Sequence, residues 1–307
     1  MNSGYNIVVI LGPTASGKTA VAAHLASRID GEIISADSRQ VYKHLNLGTG
    51  KDYGDYTVNN RQVPYHLIDI VEPGTQYNVY EYQKHFVPVF EDIKNRGKVP
   101  ILCGGSGLYI EAVIQGYKLI HVPVNQPLRD ELEKKSLEEL IAKLATYKNI
   151  HNNSDIENTK RAIRAIEIEE YYVHNPEIDL SYPEMHPVIF GVRYDRATER
   201  QRITERLQQR LKAGMEEEVE QLLKNGTTPE QLIYYGLEYK FLTQYIVGEI
   251  SYDKMFTGLN TAIHQFAKRQ MTWFRRMEGQ GMKIHWLAGA MPLEEKMTKI
   301  LKVTGIS

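Results

Sequence analysis

Short apolar runs rich in β-branched residues recur along the chain. The first, Ile7–Leu11, is apolar at every position, which is typical of a parallel strand buried on both faces. Amphipathic stretches at Lys18–Ile29 and Val79–Arg96 follow it and predict helices. Strands that alternate with helices predict right-handed βαβ units and a parallel sheet. The further predicted strands are Glu32–Ala36, His66–Ile70, Val99–Cys103, Val188–Val192 and Lys283–Leu287, the last of them at an edge.

This alternation stops between about Leu119 and Pro187, where the pattern is helical throughout. The predicted helices there are Pro127–Tyr147 and Thr159–Val173. An all-helical stretch between two strands of one sheet predicts an inserted subdomain at residues 119–185, within a core made of 1–118 and 186–307. Two long helices, Thr198–Leu223 and Asp253–Glu278, are predicted before the last strand.

Composition narrows the class of protein. Apolar residues make up 42% and charged residues 24% of the 307 positions, as in ordinary globular chains with a core. The long apolar run of a membrane span and the basic start of a signal peptide are both missing from the sequence. A single cysteine, Cys103, excludes a disulfide framework and a Cys-rich zinc module, and the histidines lack zinc-binding spacing. We expect a cytoplasmic protein without a membrane partner.

Charge is balanced overall, at −1, but is unevenly distributed. The segment Arg193–Lys212 holds seven basic and three acidic residues, whereas acids gather at Glu216–Glu218. Bulk charge therefore argues against unspecific nucleic-acid binding, while local basic patches leave RNA recognition open.

A glycine-rich motif follows the first strand and opens the first helix. It has the form GxxxxGKT, the ATP-binding type of phosphate loop, whose backbone N–H groups and helix N-terminus bind phosphate oxygens. In such a loop the lysine supplies a cation and the threonine hydroxyl binds Mg²⁺. The loop predicts a polyphosphate ligand without saying which one. Its residues are Gly12, Pro13, Thr14, Ala15, Ser16, Gly17, Lys18 and Thr19.

Polar residues also follow two other predicted strands. Asp37 comes directly after Glu32–Ala36, where a carboxylate could bind Mg²⁺, accept a substrate proton or cap a helix. Ser106 lies in the glycine-rich turn after Val99–Cys103, where a substrate could approach the backbone closely; a purely structural turn is the alternative. Cys103 is predicted to be a buried, inert thiol.

Basic clusters occur on three predicted helices, at Lys160–Arg164, Arg202–Arg206 and Lys268–Arg276. Arg202 and Arg206 are four residues apart and suited to grip a phosphate, although surface ion pairs are the alternative. The last cluster carries aromatic residues as well, which suits RNA but also suits a core helix with Phe266, Trp273 and Phe274 turned inward. A solvated charged face is the alternative for Lys160–Arg164.

Together, the motifs resemble the tRNA dimethylallyltransferases, or tRNA isopentenyltransferases, of bacteria. The matching segments, in chain order, are GPTASGKT, ISADSRQVYKHLNLGTGK, LCGGSGLYI, KRAIRAIEI and QFAKRQMTWFRR. Only the phosphate loop is specific alone, but five segments in this order make a specific match. The resemblance implies a P-loop NTPase-like α/β fold. It also implies transfer of a dimethylallyl group from dimethylallyl diphosphate to the exocyclic amine of the adenosine 3′ of the anticodon.

Site roles follow from the resemblance. It implies that the phosphate loop with Lys18, Thr19 and Mg²⁺ holds the donor diphosphate, and that Asp37 is the general base. Arg206 matches a catalytic arginine, and Ser106 matches a catalytic and tRNA-contacting position. The residues expected to contact tRNA are Asp37, Ser38, Arg39, Gln40, Ser106, Arg129, Lys160, Arg161, Arg164, Lys268, Arg269 and Arg275. We expect a monomer.

Three positions depart from the family pattern. Ser106 stands where threonine is usual but keeps the hydroxyl, Glu238 stands where glycine is common, and His264 replaces a frequent arginine. A nucleoside or metabolite kinase and an adenylate isopentenyltransferase are the alternative functions, since both use such a loop. Neither needs the RNA-facing basic helices.

Overall fold

A sheet of six parallel strands forms the centre of the structure, a computed structural model that describes residues 4–149, 153–178 and 181–306. The strand order is β5-β2-β6-β1-β7-β8. A two-stranded antiparallel hairpin, β3 and β4, turns through Asn59 and Asn60, which both have positive φ. The strands are β1 Ile7–Leu11, β2 Gly31–Ala36, β3 Thr57–Val58, β4 Arg61–Gln62, β5 Tyr65–His66, β6 Val99–Gly104, β7 Pro187–Arg193 and β8 Ile284–Ala288.

Helices cover both faces of this sheet. Along β1, Ile7, Val9 and Leu11 face one apolar cluster while Val8 and Ile10 face the other, which explains why every position is apolar. The helices are α1 Lys18–Ile29, α2 Val79–Asn95, α3 Gly107–Ile114, α4 Gln126–Leu132, α5 Leu137–Ala145, α6 Thr159–His174, α7 Arg196–Lys212, α8 Met215–Lys224, α9 Pro229–Tyr234, α10 Leu237–Ile246, α11 Tyr252–Gly279 and α12 Leu293–Thr304. Single 3₁₀ turns lie at Tyr53–Tyr56 and Asn153–Ile156.

The predicted parallel sheet and most of its elements are present, but two predicted helices were wrong as single elements. Thr198–Leu223 is divided into α7 and α8 at Gly214, whose φ of 101° ends the first helix. Pro127–Tyr147 is divided into α4 and α5, where Ser136 and Glu139 form a capping box that starts a new helix. At both places the residues that end or start a helix locally decide where the helix stops, although the apolar spacing continues past them.

The predicted strand His66–Ile70 was also wrong over most of its length. Only Tyr65 and His66 pair with β2, because Leu67 and Asp69 have positive φ and turn the chain away from the sheet. Asp69 then binds the buried ammonium of Lys51, so this segment serves as a support for the loop that follows β2.

Two compact units make up the chain: residues 1–117 with 183–307, and residues 118–182. The first contains the sheet. The second is helical and has a small apolar core of its own, which includes Leu132, Leu140, Leu144 and Ile166. Among the described residues, no helix is both long enough and apolar enough to cross a membrane.

Candidate active site

Three strand ends meet at one edge of the sheet. The register pairs Gly104 of β6 with Leu11 of β1 on one side and with Ala36 of β2 on the other. The segments that follow these residues are the phosphate loop, the turn with Ser106 and the loop with Asp37. Parallel pairing therefore brings together three motifs that are far apart in the sequence.

The phosphate loop has the backbone that its sequence predicts. Ala15 and Gly17 have φ of 59° and 80°, which bends the loop into the start of α1. A Cβ at Gly12 would lie 2.5 Å from the carbonyl oxygen of Val192, so only glycine fits there. The N-cap of α1 is Gly17, which has no side chain to cap the helix, so the N–H groups of the first turn are available to a ligand.

Arginines of α7 hold this loop from the side. Arg202 donates to the carbonyl of Ala15 at 3.0 Å, and Arg206 donates to the Thr14 hydroxyl at 3.3 Å. Lys18 reaches back to the carbonyl of Pro13 at 3.4 Å, and burial lowers its pKa below the ordinary lysine value. These cations are gathered where a polyphosphate would bind.

Asp52 links two of the α7 arginines. Its carboxylate accepts from Arg206 and, at 3.2 Å, from Arg210. Burial opposes ionisation of Asp52, but the two guanidinium groups prevail and lower its pKa. Burial, and then the neighbouring charge of Arg206, lowers the pKa of Arg210. Without Asp52, the two adjacent cations would repel each other.

Asp37 is held in place by the loop that it begins. Its Oδ1 accepts from the backbone N–H of Arg39 at 2.9 Å and of Gln40 at 3.4 Å. Ser106 then connects this loop to the neighbouring strand end, because its Oγ accepts from the N–H of Ser38 at 3.0 Å. The carboxylate is therefore fixed relative to both β2 and β6.

A cavity of about 430 Å³ joins these groups. The predicted catalytic residues Asp37, Ser106, Lys18 and Arg206 all contribute to its wall. It is also lined by Thr14, Thr19, Ser38, Arg39, Gln40 and Arg269. A second cavity, of about 510 Å³, lies over the phosphate loop and shares Lys18, Thr19, Arg206 and Arg210 with the first. One site thus holds a phosphate-binding region and a carboxylate next to each other.

Gln270 of α11 ties two of these segments together. Its amide oxygen accepts from the N–H of Thr14 at 2.9 Å, and its amide nitrogen donates to the carbonyl of Gly105 at 2.9 Å. Gly105 permits this close packing, since a Cβ there would lie 2.3 Å from the amide nitrogen of Gln270. The motif segments are thereby held at a fixed spacing.

Oxygen ligands suited to Mg²⁺ are present beside the lysine. Thr19 lines both cavities, Asp37 lines one and Asp55 the other. Burial, together with the charge of Asp52, raises the pKa of Asp55, so a nearby cation would favour its ionised form. Within the part of the chain that the structure describes, no three His, Cys, Asp or Glu side chains are grouped closely enough to hold a metal ion. Thr19, Asp37 and Asp55 therefore suit a Mg²⁺ ion that would be held by the protein and by phosphate oxygens of a ligand together.

Sequence comparison with known proteins identifies the family of this chain. The profile of the IPP transferase family matches residues 40–277. The chain belongs to this family. The tRNA dimethylallyltransferase 2 of Bacteroides fragilis is 59% identical over 95% of this chain and 96% of its own length. The tRNA dimethylallyltransferase 1 of Parabacteroides distasonis is 56% identical over 97% of both chains.

Two solved structures share the fold of this chain. The full-length tRNA isopentenylpyrophosphate transferase of Bacillus halodurans has a TM-score of 0.71 at 30% identity, over 98% of this chain and 95% of its own. A eukaryotic dimethylallyltransferase acting on tRNA has a TM-score of 0.74 at 22% identity, over 93% of this chain and 74% of its own, which is a likeness of fold.

Other predicted RNA-contacting residues of this IPP transferase family member lie outside the cavity. Lys268 and Arg275 are exposed on α11. Arg129, Lys160, Arg161 and Arg164 belong to the helical unit, where Lys160 and Arg161 are exposed. Arg129 binds the buried carboxylate of Glu167 through two hydrogen bonds, of 3.0 and 2.8 Å, and Arg164 binds the same group. Both arginines thus help to hold the helical unit together as well.

The two interpretations of α11 apply to different faces of the helix. Phe274 is fully buried, as the core-helix alternative expects, whereas Phe266 is 38% exposed and does not follow that alternative. Trp273 is partly buried and donates to Glu111 at 2.6 Å, with Arg276 over its ring.

Cys103 is buried, and burial raises its pKa to about 12, as expected of an inert thiol.

Sequence reasoning missed several residues of the site. Arg210 continues the four-residue spacing of Arg202 and Arg206, and that spacing could have indicated it. Gln270 stands within the quoted QFAKRQ segment, and Asp52 follows the quoted LGTGK segment directly. Glu238, a departure from the family pattern, lines the same cavity as Asp37, and burial raises its pKa. No sequence signal placed it there.

Proposed function

We propose that this protein transfers the dimethylallyl group of dimethylallyl diphosphate to the exocyclic amine of the adenosine 3′ of the anticodon in tRNA. One observation carries the proposal: Asp37 and the phosphate-loop residues Lys18 and Thr19 line the same cavity. A diphosphate donor and a nucleophile that must lose a proton would need both. The names of the relatives support the same reaction.

The donor diphosphate binds at the phosphate loop. The N–H groups at the start of α1, together with Lys18 and Arg206, offset the charge of its oxygens, and Thr19 would hold Mg²⁺ at the same site. When bound, Mg²⁺ supplies further positive charge to the departing diphosphate. Charge on that group grows as the allylic carbon–oxygen bond breaks, so these cations lower the barrier to transfer.

Asp37 accepts the proton that the adenosine amine loses. The amine nitrogen forms a bond to the first carbon of the allylic group, the carbon–oxygen bond breaks, and its electron pair leaves with the diphosphate. The amine proton then passes to the Asp37 carboxylate. Two backbone N–H groups fix this carboxylate, and Ser106 fixes the loop that carries it. The adenosine leaves its stack to reach the cavity, at a cost that is smaller in an RNA loop.

Basic side chains on both units bind the tRNA. Arg39, Gln40 and Arg269 line the cavity, and Lys268 and Arg275 extend the exposed basic surface along α11. The helical unit contributes Arg129, Lys160, Arg161 and Arg164. Bound to RNA phosphates, these cations would make affinity fall with salt. We also propose that the protein works in the cytoplasm as a monomer.

Transfer of labelled dimethylallyl diphosphate to unmodified tRNA tests this function. We expect transfer by the wild type and a loss of roughly a hundredfold to ten-thousandfold in kcat for Asp37→Asn, since the amide cannot accept the proton. Asp253→Asn is the matched control, because Asp253 is exposed at the start of α11 and should leave kcat unchanged. Transfer of label to free AMP, or of phosphate from ATP, would instead identify one of the alternative enzymes.

A further inference from the structure

Apolar side chains are exposed at the mouth of the cavity that holds Asp37. Tyr234 is 50% exposed, and Ile233 and Phe266 are each 38% exposed, although large apolar groups are usually removed from water. All three line the cavity. We call Ile233, Tyr234 and Phe266 the aromatic rim. Solvent-facing apolar groups gathered around a cavity entrance are typical of a binding surface.

Each aromatic ring of the rim is accompanied by an arginine. The guanidinium carbon of Arg39 lies 5.2 Å from the centre of the Tyr234 ring, and that of Arg269 lies 5.9 Å from the centre of the Phe266 ring. These distances are within the range of cation–π contacts. The two arginines line the same cavity, so the rim combines flat apolar surfaces with positive charge.

The position of Tyr234 is set by its neighbour in the chain. Tyr235 is buried and packs edge-on against Tyr42, with ring centres 4.9 Å apart, and its hydroxyl accepts from the N–H of Gly74. Tyr234, at the end of α9, therefore lies on a fixed support. A preorganised ring loses little freedom when it stacks on a ligand.

We propose that the aromatic rim, and Tyr234 above all, is a stacking surface for the unpaired bases next to the adenosine that enters the cavity. The inference rests on the proposed transfer to tRNA. Unpaired bases stack on aromatic side chains and on arginine planes, while their phosphates need cations. Bases that stack on the rim would replace the stacking that the RNA loop loses when the adenosine leaves it.

The short hydrocarbon chain of the donor fits the rim less well. Transfer requires water to be kept away from the allylic carbon, whereas the rim is half open to solvent. The charged guanidinium groups of Arg39 and Arg269 are also poor neighbours for a hydrocarbon, but suit the phosphates between RNA bases. Charge and exposure therefore favour RNA as the occupant.

Steady-state transfer to an anticodon stem-loop RNA tests the inference, with and without an abasic nucleotide on either side of the target adenosine. For the wild type we expect an abasic neighbour to raise KM for RNA roughly tenfold to a hundredfold. Tyr234→Leu should raise KM by a similar factor for the intact RNA and should be much less sensitive to the abasic change. Tyr234→Phe keeps the ring and should stay within about twofold of the wild type.

Tyr252→Leu is the matched control, because Tyr252 is 43% exposed on α11 and is not part of the cavity lining. KM for dimethylallyl diphosphate and the thermal unfolding midpoint are measured for every variant. An unchanged KM for RNA in Tyr234→Leu, or equal abasic sensitivity in wild type and variant, would overturn the inference while transfer itself remains. A selective rise in KM for the donor would assign the rim to the allylic group. No transfer by the wild type would refute the proposed function instead.

Discussion

The Gln270 side chain joins the phosphate loop to the Gly105 turn through two hydrogen bonds, which we call the Gln270 clamp. Replacement of Gln270 by leucine tests whether this clamp supports both stability and transfer. Leucine is of similar size and suits a helix, but it can neither accept from the Thr14 N–H nor donate to the Gly105 carbonyl. Gln270 is only 7% exposed, so water has little access to the Gly105 carbonyl that would be left behind.

The cost follows from the surroundings of the two groups. Gly105 is buried, and an unpaired buried carbonyl costs about 2 kcal/mol. Thr14 lines the cavity, where water replaces part of the lost contact, so its N–H costs about 1 kcal/mol. We therefore expect Gln270→Leu to lower the free energy of unfolding by about 3 kcal/mol. Displacement of the loop should also lower kcat/KM roughly tenfold to a hundredfold.

Urea denaturation and transfer kinetics measure the two effects. Gln265→Leu is the control, since Gln265 is exposed on the same helix and makes no side-chain hydrogen bond among the described residues. If Gln270→Leu lowered the free energy of unfolding by no more than the control does, the two hydrogen bonds would contribute nothing. If stability fell but kcat/KM did not, the loop would not depend on the clamp for its position.

Two further predictions concern carboxylates that hold helices to the core. Glu111→Gln should lower the free energy of unfolding in urea by about 2 kcal/mol, because Arg276 loses its counter-charge while remaining partly exposed; an unchanged value would contradict this. Hydrogen bonding to Arg96 lowers the pKa of Glu32 from its ordinary 4.5 to about 2. The ionised Glu32 carboxylate therefore stabilises the folded state fully above about pH 4.5, and this contribution is lost as pH falls towards 2. Denaturation at a series of acidic pH values should therefore show a smaller pH dependence for Glu32→Gln, and equal slopes would refute the assignment.

Much of the fold could be predicted from local patterns. Ile7–Leu11 and Lys18–Ile29 are present with the predicted bounds, because a fully apolar β-branched run and an uninterrupted amphipathic run each favour one structure. The two helix predictions that failed, Thr198–Leu223 and Pro127–Tyr147, extended such a run through a helix end. Gly214 and the Ser136 capping box carried that information, but their effect depends on the backbone conformation that they adopt.

The sequence alone predicted which kinds of residue form the candidate site: a phosphate loop, a carboxylate after β2 and a hydroxyl after β6. Their grouping was decided by the tertiary structure, because the pairing of Leu11, Gly104 and Ala36 is a contact between distant segments. The same is true of Gln270 and Tyr234. Each lies on a helix far from the phosphate loop in the sequence and reaches the cavity only once helices have packed against the sheet. Short-range patterns determine elements, whereas long-range packing determines which side chains share a site.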